Sequence, residues 1–213
     1  MIKALVFDMD GLLLDSERIV QRSWNEAGEF LGICGVGKQI YHTLGMNRAA
    51  RTIYFKQVFG DDFDQDKFNK KASECFFRIV ETEGLPVKEG AKELLKYAKE
   101  RGYKTAVATS SSREYATEVL KNAGLYQYFD SGVFGDMVEH AKPDPEIYLK
   151  ACENIGVNPK DCLALEDAPA GVRSAHAAGL SVIVVPDLVQ PTEDILSLVL
   201  KKCNSLDEVI PML

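Results

Sequence analysis

The chain has 213 residues and a formal net charge of −7, with 25 basic against 32 acidic side chains. A hydrophobic fraction of 46% and a charged fraction of 27% are typical of a soluble globular protein, and they exclude disorder, collagen and coiled coil as overall descriptions. An acidic chain has no general attraction for nucleic-acid backbones or anionic membranes, so we expect neither as a partner.

Two further features of the sequence concern the compartment. No run approaches the roughly 20 apolar residues of a membrane-spanning helix, and the N-terminus MIKALVFDMDG places acidic residues where a signal peptide needs its apolar stretch. The five cysteines are widely spaced and form no Cys-x-x-Cys pair, so we predict reduced thiols rather than disulfides or a zinc site. We therefore expect a cytoplasmic protein, and we expect it to be a monomer.

Short apolar runs alternate with helical patterns at the start of the chain and throughout its second half. The runs lie at 2–7, 103–109, 132–134, 162–165 and 181–185, of which 132–134 is the weakest. Helical patterns at 91–101 and 113–123 are each followed by a glycine, a common helix stop. The alternation predicts an α/β fold, a Rossmann-like doubly wound parallel sheet with helices on both faces.

The segment 15–83 interrupts this alternation. Its helical patterns lie at 15–31, 48–59 and 66–83, and it contains no convincing strand and no proline. Pro86, the first proline of the chain, comes two residues after Gly84 and indicates a linker that returns to the sheet. We therefore predict an all-helical domain over 15–83, inserted into an α/β core formed by 1–14 and 84–213.

Asp8 and Asp10 carry the strongest local signal, because both follow a predicted buried strand. Side chains two residues apart in a strand share a face, so both carboxylates would point into one small volume. Like charges so close disfavour ionisation unless a cation lies between them, and Mg²⁺ prefers carboxylate and carbonyl oxygens. The pair predicts a Mg²⁺ site, and two carboxylates that only cap a turn are the alternative.

Two other segments offer groups that suit an oxyanion such as phosphate. Thr109, Ser110 and Ser111 follow a predicted strand and lead into a helix, where hydroxyls and backbone N–H groups can hold phosphate oxygens. An ordinary helix N-cap is the alternative for them. Lys142 is restricted in direction by Pro143 and could neutralise phosphoryl charge, while a surface lysine is the alternative.

Glu166 and Asp167 end the apolar run 162–165, where two acids are costly unless they are paired or bound to a metal. With them, four polar signals follow the carboxyl ends of predicted parallel strands. That edge is where open α/β sheets bind ligands. We therefore predict that all four signals belong to one site.

These residues resemble a known set of motifs. Asp8-Met9-Asp10-Gly11, Thr109, Lys142-Pro143 and Glu166-Asp167 are similar, in order and spacing, to the four motifs of the haloacid dehalogenase superfamily. The segments DMDGLLLDSE and EDAPAG resemble the branch that contains β-phosphoglucomutases and sugar-phosphate phosphatases. The resemblance covers essentially the whole chain and implies that the helical domain over 15–83 is a cap domain.

The resemblance also implies roles for the acids. Asp8 would be the nucleophile that forms an aspartyl-phosphate, and Asp10 would act as general acid and then as general base. Asp8, the Asp10 carbonyl and Asp167 would hold Mg²⁺, with Glu166 as a direct or an indirect partner.

For the remaining motif residues, the resemblance implies contacts with the phosphoryl group. Thr109, Ser110 and Ser111 would bind phosphoryl oxygens, and Lys142 would offset negative charge on Asp8 and on the phosphoryl group.

Three functions remain open under this resemblance, and a phosphatase acting on a small phosphorylated metabolite, such as a sugar phosphate, is favoured. Val20 stands where mutases of this kind carry a histidine. Serines follow Thr109 where such mutases carry residues of the lysine–asparagine type. A β-phosphoglucomutase-type mutase is the second, because Arg48 matches a residue that grips the non-reacting phosphate, and we therefore name it as substrate-binding. A non-catalytic phosphate sensor is the third and is disfavoured, since no acid of the set is missing.

Dehalogenases carry a single aspartate in the first motif, so dehalogenation is disfavoured as well.

Overall fold

A computed structural model describes residues 1–43 and 48–213, and it describes the side chains of all of these except Arg48 and Ala49. The chain forms two compact units. The core unit comprises Met1–Asp15 and Pro86–Leu213, and the helical unit comprises Ser16–Leu85. The boundaries expected from the sequence, after residue 14 and before residue 84, differ from these by one or two residues.

The core unit is built on a parallel sheet of six strands in the order β3-β2-β1-β4-β5-β6. The strands are β1 (Ala4–Phe7), β2 (Lys104–Ala108), β3 (Ser131–Val133), β4 (Cys162–Glu166), β5 (Ser181–Val184) and β6 (Lys201–Lys202). The predicted α/β class and parallel sheet are confirmed, and each of the five predicted runs forms a strand. The sixth strand was not predicted, because its two exposed lysines carry no apolar pattern.

The α-helices are α1 (Ser16–Leu31), α2 (Ile40–Thr43), α3 (Arg48–Phe59) and α4 (Gln65–Glu83) in the helical unit, and α5 (Ala91–Glu100), α6 (Arg113–Asn122), α7 (Glu146–Ile155), α8 (Pro169–Ala177) and α9 (Glu193–Leu196) in the core unit. The five helical patterns identified in the sequence form α1, α3, α4, α5 and α6, whereas the short helices α2 and α9 were not predicted. Within the described parts of the chain, no helix has the length and apolarity that crossing a membrane would require.

The central strand β1 is buried on both faces, which explains its unbroken apolar sequence. Ala4 and Val6 belong to one core cluster together with residues of α7 and α8. Because side chains alternate along a strand, Leu5 and Phe7 point to the opposite face, where they are also fully buried. The sheet is thus a rigid base whose carboxyl edge carries Asp8 directly after β1.

An aromatic cluster fills the helical unit. Trp24 of α1, Phe55 of α3, Phe68 of α4 and the loop residue Phe63 form ring pairs with centroids 5.3–5.8 Å apart. Edge-to-face and tilted ring contacts at this spacing are favourable beyond the area that they bury. Trp24 therefore packs inside this unit, as its position on a helical pattern indicates.

The two segments that join the core unit to the helical unit pair with each other within the core unit. The Asp15 N–H donates to the Pro86 carbonyl at 2.8 Å, and the Lys88 N–H donates to the Leu13 carbonyl at 2.9 Å. The Lys88 ammonium also lies 2.7 Å from the buried Asp187 carboxylate in the loop after β5. Leu13 and Asp15 are therefore hydrogen-bonded to the segment that leads back into the core unit.

Glu146, the first residue of α7, folds the preceding loop back onto its own helix. Its carboxylate accepts hydrogen bonds from the Lys150 ammonium at 2.6 Å and from the backbone N–H groups of Glu139 and His140 at 2.9–3.1 Å. The bond from Lys150, followed by those from the backbone, lowers the pKa of Glu146 to about 2. The ionised Glu146 thereby stabilises the loop that carries Lys142.

Replacing Glu146 by Gln should lower the free energy of unfolding in a pH-dependent way. The pKa of this carboxyl falls from 4.5 to about 2 on folding, so its charge contributes stability above about pH 5 and this contribution is lost as the pH falls towards 2. Denaturant unfolding should therefore show a clear deficit of Glu146→Gln against the natural chain at pH 7, and a smaller one at pH 3. Glu153→Gln, at an exposed position of the same helix, is the control. A deficit that is equal at both pH values, or equal in the two variants, would contradict this reading.

Candidate active site

Three adjacent strands and one loop bring the predicted site residues together at the carboxyl edge of the sheet. Asp8 follows β1, Thr109 follows β2, and Glu166 is the last residue of β4. Since β2 and β4 flank β1 on its two sides, these three residues are neighbours in space. Lys142 reaches them from the loop between β3 and α7.

Lys142 lies at the centre of this group and is almost fully buried, with 7% of its side chain exposed. Its Nζ lies 2.6 Å from Asp8 Oδ1 and 2.7 Å from Glu166 Oε1. A third hydrogen bond goes to the backbone carbonyl of Ala108 at 2.9 Å, so all three ammonium donors have an acceptor. Burial alone would lower the pKa of Lys142, but the attraction of Asp8 and Glu166 outweighs it and raises this pKa. The alternative of a surface lysine is wrong.

Asp8 is buried in the same group. Desolvation raises its pKa well above the usual range, and the neighbouring Glu166 carboxylate adds to this rise, while Lys142 offsets part of it. The charged form of Asp8 therefore depends on positive charge close to its oxygens. Lys142 supplies part of this positive charge, and a cation bound beside Asp8 would supply more.

The acids at this edge are arranged as a set of ligands for a cation. Asp8, Glu166 and Asp167 each offer one carboxylate oxygen, and these three oxygens lie within 4.8 Å of one another. Among the described residues, these three and Asp10 make four carboxyl groups beside the one Lys142 ammonium, so negative charge exceeds positive charge in this group. Oxygen ligands with excess negative charge are the donors that Mg²⁺ prefers, and the residues present therefore fit this ion.

Gly11 allows Asp167 to approach the loop after β1. A Cβ atom at position 11 would lie 2.2 Å from Asp167 Oδ2, and the glycine has a φ of +87°. A side chain here would meet both a steric clash and an unfavourable backbone conformation. The glycine of the Asp8–Gly11 motif is thus required by the contact between two motifs.

Glu166 is held from two further sides. The Tyr148 hydroxyl of α7 donates to Glu166 Oε1 at 2.5 Å, the same oxygen that Lys142 contacts. On the other side, a Cβ at Gly171 of α8 would lie 1.9 Å from this oxygen. Tyr148 was not predicted from the sequence, because an aromatic residue on the buried face of a helix indicates only packing.

Asp10 is held by the segment that follows β2. The Ser111 hydroxyl donates to Asp10 Oδ2 at 2.8 Å, and the Thr109 hydroxyl reaches the same oxygen at 3.3 Å. Thr109 Oγ1 also accepts a hydrogen bond from the Ser111 N–H at 3.1 Å. In this structure the two hydroxyls therefore orient Asp10, whereas Ser110 is exposed.

The alternative of an ordinary helix N-cap for the segment from Thr109 to Ser112 holds only for its last residue: Ser112 is the N-cap residue of α6, but its side chain makes no capping hydrogen bond. The N-terminus of α6 is capped instead by Asp136, whose carboxylate oxygens accept from the Arg113 N–H at 3.1 and 3.2 Å. Asp136 comes from a short turn after β3, so no local pattern in the sequence connects it with this helix.

One predicted substrate-binding residue cannot be placed. The side chain of Arg48 lies outside the described residues, as does the segment 44–47 that precedes it. The role given to Arg48 stays a prediction.

Comparison with known proteins agrees with the geometry of the site. A family model described as haloacid dehalogenase-like hydrolase matches residues 2–179. The candidate phosphatase YhcW of Bacillus subtilis is 35% identical over 90% of this chain and 87% of its own. The phosphorylated carbohydrates phosphatase of Thermotoga maritima is 32% identical over 85% of this chain and 84% of its own.

Among solved structures, this chain is similar to that of a candidate β-phosphoglucomutase from Thermotoga maritima. The TM-score is 0.82 at 28% identity, and the match covers 99% of this chain and 98% of the other. The resemblance inferred from the motifs is thereby confirmed. With four motifs that converge on one buried lysine and a family match over most of the sequence, the chain belongs to the haloacid dehalogenase-like hydrolases.

Proposed function

We propose that this protein is a Mg²⁺-dependent phosphatase that hydrolyses a small phosphomonoester of the sugar-phosphate class through an aspartyl-phosphate. The observation that carries the proposal is the pair of differently held acids, Asp8 on the Lys142 ammonium and Asp10 on the Ser111 hydroxyl. One acid is thus placed beside positive charge, and the other beside hydroxyl donors. Phosphatase names among the relatives support this function, and one relative is named for phosphorylated carbohydrates.

In the first step, a carboxylate oxygen of Asp8 attacks the phosphorus atom and the bond to the leaving alcohol oxygen breaks. Asp10 donates a proton to that oxygen. The hydroxyls of Ser111 and Thr109 contact Asp10 Oδ2 and orient this carboxyl group for the proton transfer. The products of this step are the free alcohol and a phosphoryl group bound to Asp8.

In the second step, a water molecule attacks the phosphorus atom and the Asp10 carboxylate takes its proton. The bond between phosphorus and Asp8 breaks, which restores the Asp8 carboxylate and releases inorganic phosphate. Asp10 is then protonated again and ready for the next substrate.

Positive charge around Asp8 favours both steps, because positioning and charge neutralisation provide most of the catalysis in phosphoryl transfer. Lys142 supplies one fixed charge next to Asp8. The carboxylates of Asp8, Glu166 and Asp167, with the backbone carbonyl of Asp10, would hold Mg²⁺, which when bound supplies further charge for the phosphoryl oxygens.

Asp8→Asn should reduce kcat by at least about a thousandfold, because an amide cannot serve as the attacking group. The assay is phosphate release from a panel of phosphorylated metabolites in the presence of Mg²⁺. Asp161→Asn is the matched control, since Asp161 precedes β4 at the opposite edge of the sheet and pairs with Lys3. Turnover by Asp8→Asn within tenfold of the natural chain would contradict the assignment.

Mg²⁺ should raise the melting temperature of the natural chain, because an ion that binds only the folded state stabilises it by about 2.7 kcal/mol at a hundred times its Kd. Asp167→Asn should remove most of this shift, and Asp161→Asn should keep it. Differential scanning fluorimetry with EDTA or with Mg²⁺ tests this. The metal assignment fails if Asp167→Asn shows the full shift.

A β-phosphoglucomutase activity is the second candidate, and the structural similarity to a candidate enzyme of that kind favours it. Incubation with a hexose 1-phosphate and a trace of hexose bisphosphate separates the two functions. We expect free phosphate as the main product. Formation of the isomeric hexose phosphate without free phosphate would show a mutase instead.

A further inference from the structure

We propose that Tyr148 is a positioning residue that fixes the Glu166 carboxylate through its hydroxyl and thereby sets the affinity of the site for its divalent cation. This inference rests on the proposed function in so far as that function places a cation beside Glu166. Tyr148 is not expected to touch the substrate.

The contacts of Tyr148 indicate that its hydroxyl has a role in addition to the packing of its ring. The residue is fully buried in the apolar cluster between the sheet and α7, where phenylalanine would fill almost the same volume. A buried phenol is favourable only if its hydroxyl has a partner, and Glu166 Oε1 is that partner at 2.5 Å. The hydroxyl thus has a specific use in an otherwise apolar environment.

The same tyrosine also contacts Lys142. The Lys142 Nζ lies 5.0 Å from the centroid of the Tyr148 ring, within the range in which an ammonium is attracted to an aromatic face. Tyr148 therefore contacts both members of the Lys142–Glu166 pair.

The two hydrogen bonds to Glu166 Oε1 determine which oxygen of this carboxylate is available to a cation. Lys142 and Tyr148 both bind Oε1, so Oε2 is the oxygen that remains for a metal ion or for a water molecule bound to it. Gly171 leaves the space that the carboxylate occupies, because a Cβ there would lie 1.9 Å from Oε1 and 2.1 Å from Oε2. The carboxylate thus lies close to the backbone of α8 and is hydrogen-bonded to Tyr148 of α7.

Loss of the hydroxyl should weaken cation binding without creating a cavity in the core. In Tyr148→Phe, Oε1 would keep only the Lys142 donor, and a buried carboxylate with fewer donors is both less fixed and more costly to keep charged. Residues that orient metal ligands typically change metal affinity by tenfold to a hundredfold when they are replaced. We expect the Kd for Mg²⁺ to rise about tenfold.

The test is isothermal titration of Mg²⁺ into the full-length chain without substrate. Tyr103→Phe is the matched control, because the Tyr103 hydroxyl also donates one hydrogen bond, to the Leu213 carbonyl at 2.9 Å, away from the acidic group. We expect Tyr103→Phe to bind Mg²⁺ within twofold of the natural chain. Equal Kd values for Tyr148→Phe and the natural chain, or equal rises in the two variants, would overturn the proposal.

A second variant, Gly171→Ala, tests in combination with Tyr148→Phe whether both changes act on Glu166. Gly171→Ala should push the Glu166 carboxylate from the other side and raise the Kd for Mg²⁺ as well. If both changes act through the orientation of Glu166, the double variant should lose less affinity than the product of the two single losses. Independent, multiplying losses would count against a shared action on Glu166.

The outcomes distinguish this inference from the proposed function. Unchanged Mg²⁺ affinity in Tyr148→Phe, together with hydrolysis of phosphomonoesters by the natural chain, would overturn the role of Tyr148 alone. A natural chain that binds Mg²⁺ tightly but hydrolyses no phosphomonoester would overturn the proposed function alone. A natural chain that takes up no Mg²⁺ would overturn the role of Tyr148, whatever its activity.

Discussion

One buried ammonium group determines the arrangement of this site. Lys142 joins Asp8 after β1 to Glu166 at the end of β4, and it also binds the backbone at the end of β2. Buried carboxylates repel one another and lose hydration, so three elements can present them at one place only if a positive charge lies among them. Among the described residues, one ammonium does not balance four carboxyl groups, and this supports our proposal that the site binds a further cation.

The surroundings of the two motif aspartates differ, and this difference supports the separate chemical tasks that we propose for them. Asp8 lies in the buried group around Lys142, whereas Asp10 is bound by the hydroxyls of Ser111 and Thr109. A nucleophile benefits from fixed positive charge nearby, and a residue that both gives and takes a proton benefits from neutral donors that keep its orientation. Two acids separated by one residue can therefore have different roles.

The sequence predicts the sheet and the main acids well, for clear physical reasons. Strand β1 is buried on both faces and so reads as an unbroken apolar run, and acids directly after such a run stand out. The features that the sequence does not predict depend on contacts between segments that lie far apart in the chain. Tyr148 looks like a packing residue, Asp136 caps a helix more than 20 residues earlier, and Ser111 binds Asp10 although its position suits phosphate equally well.

The central claim is that Lys142 is a buried charge on which the acids depend, and the stability of Lys142→Met in EDTA at pH 7 tests it most directly. Removing one partner of a buried pair leaves charge without compensation, so the account predicts that the free energy of unfolding falls by about 3–5 kcal/mol. A fall below about 1 kcal/mol, as for an exposed ion pair, would contradict it.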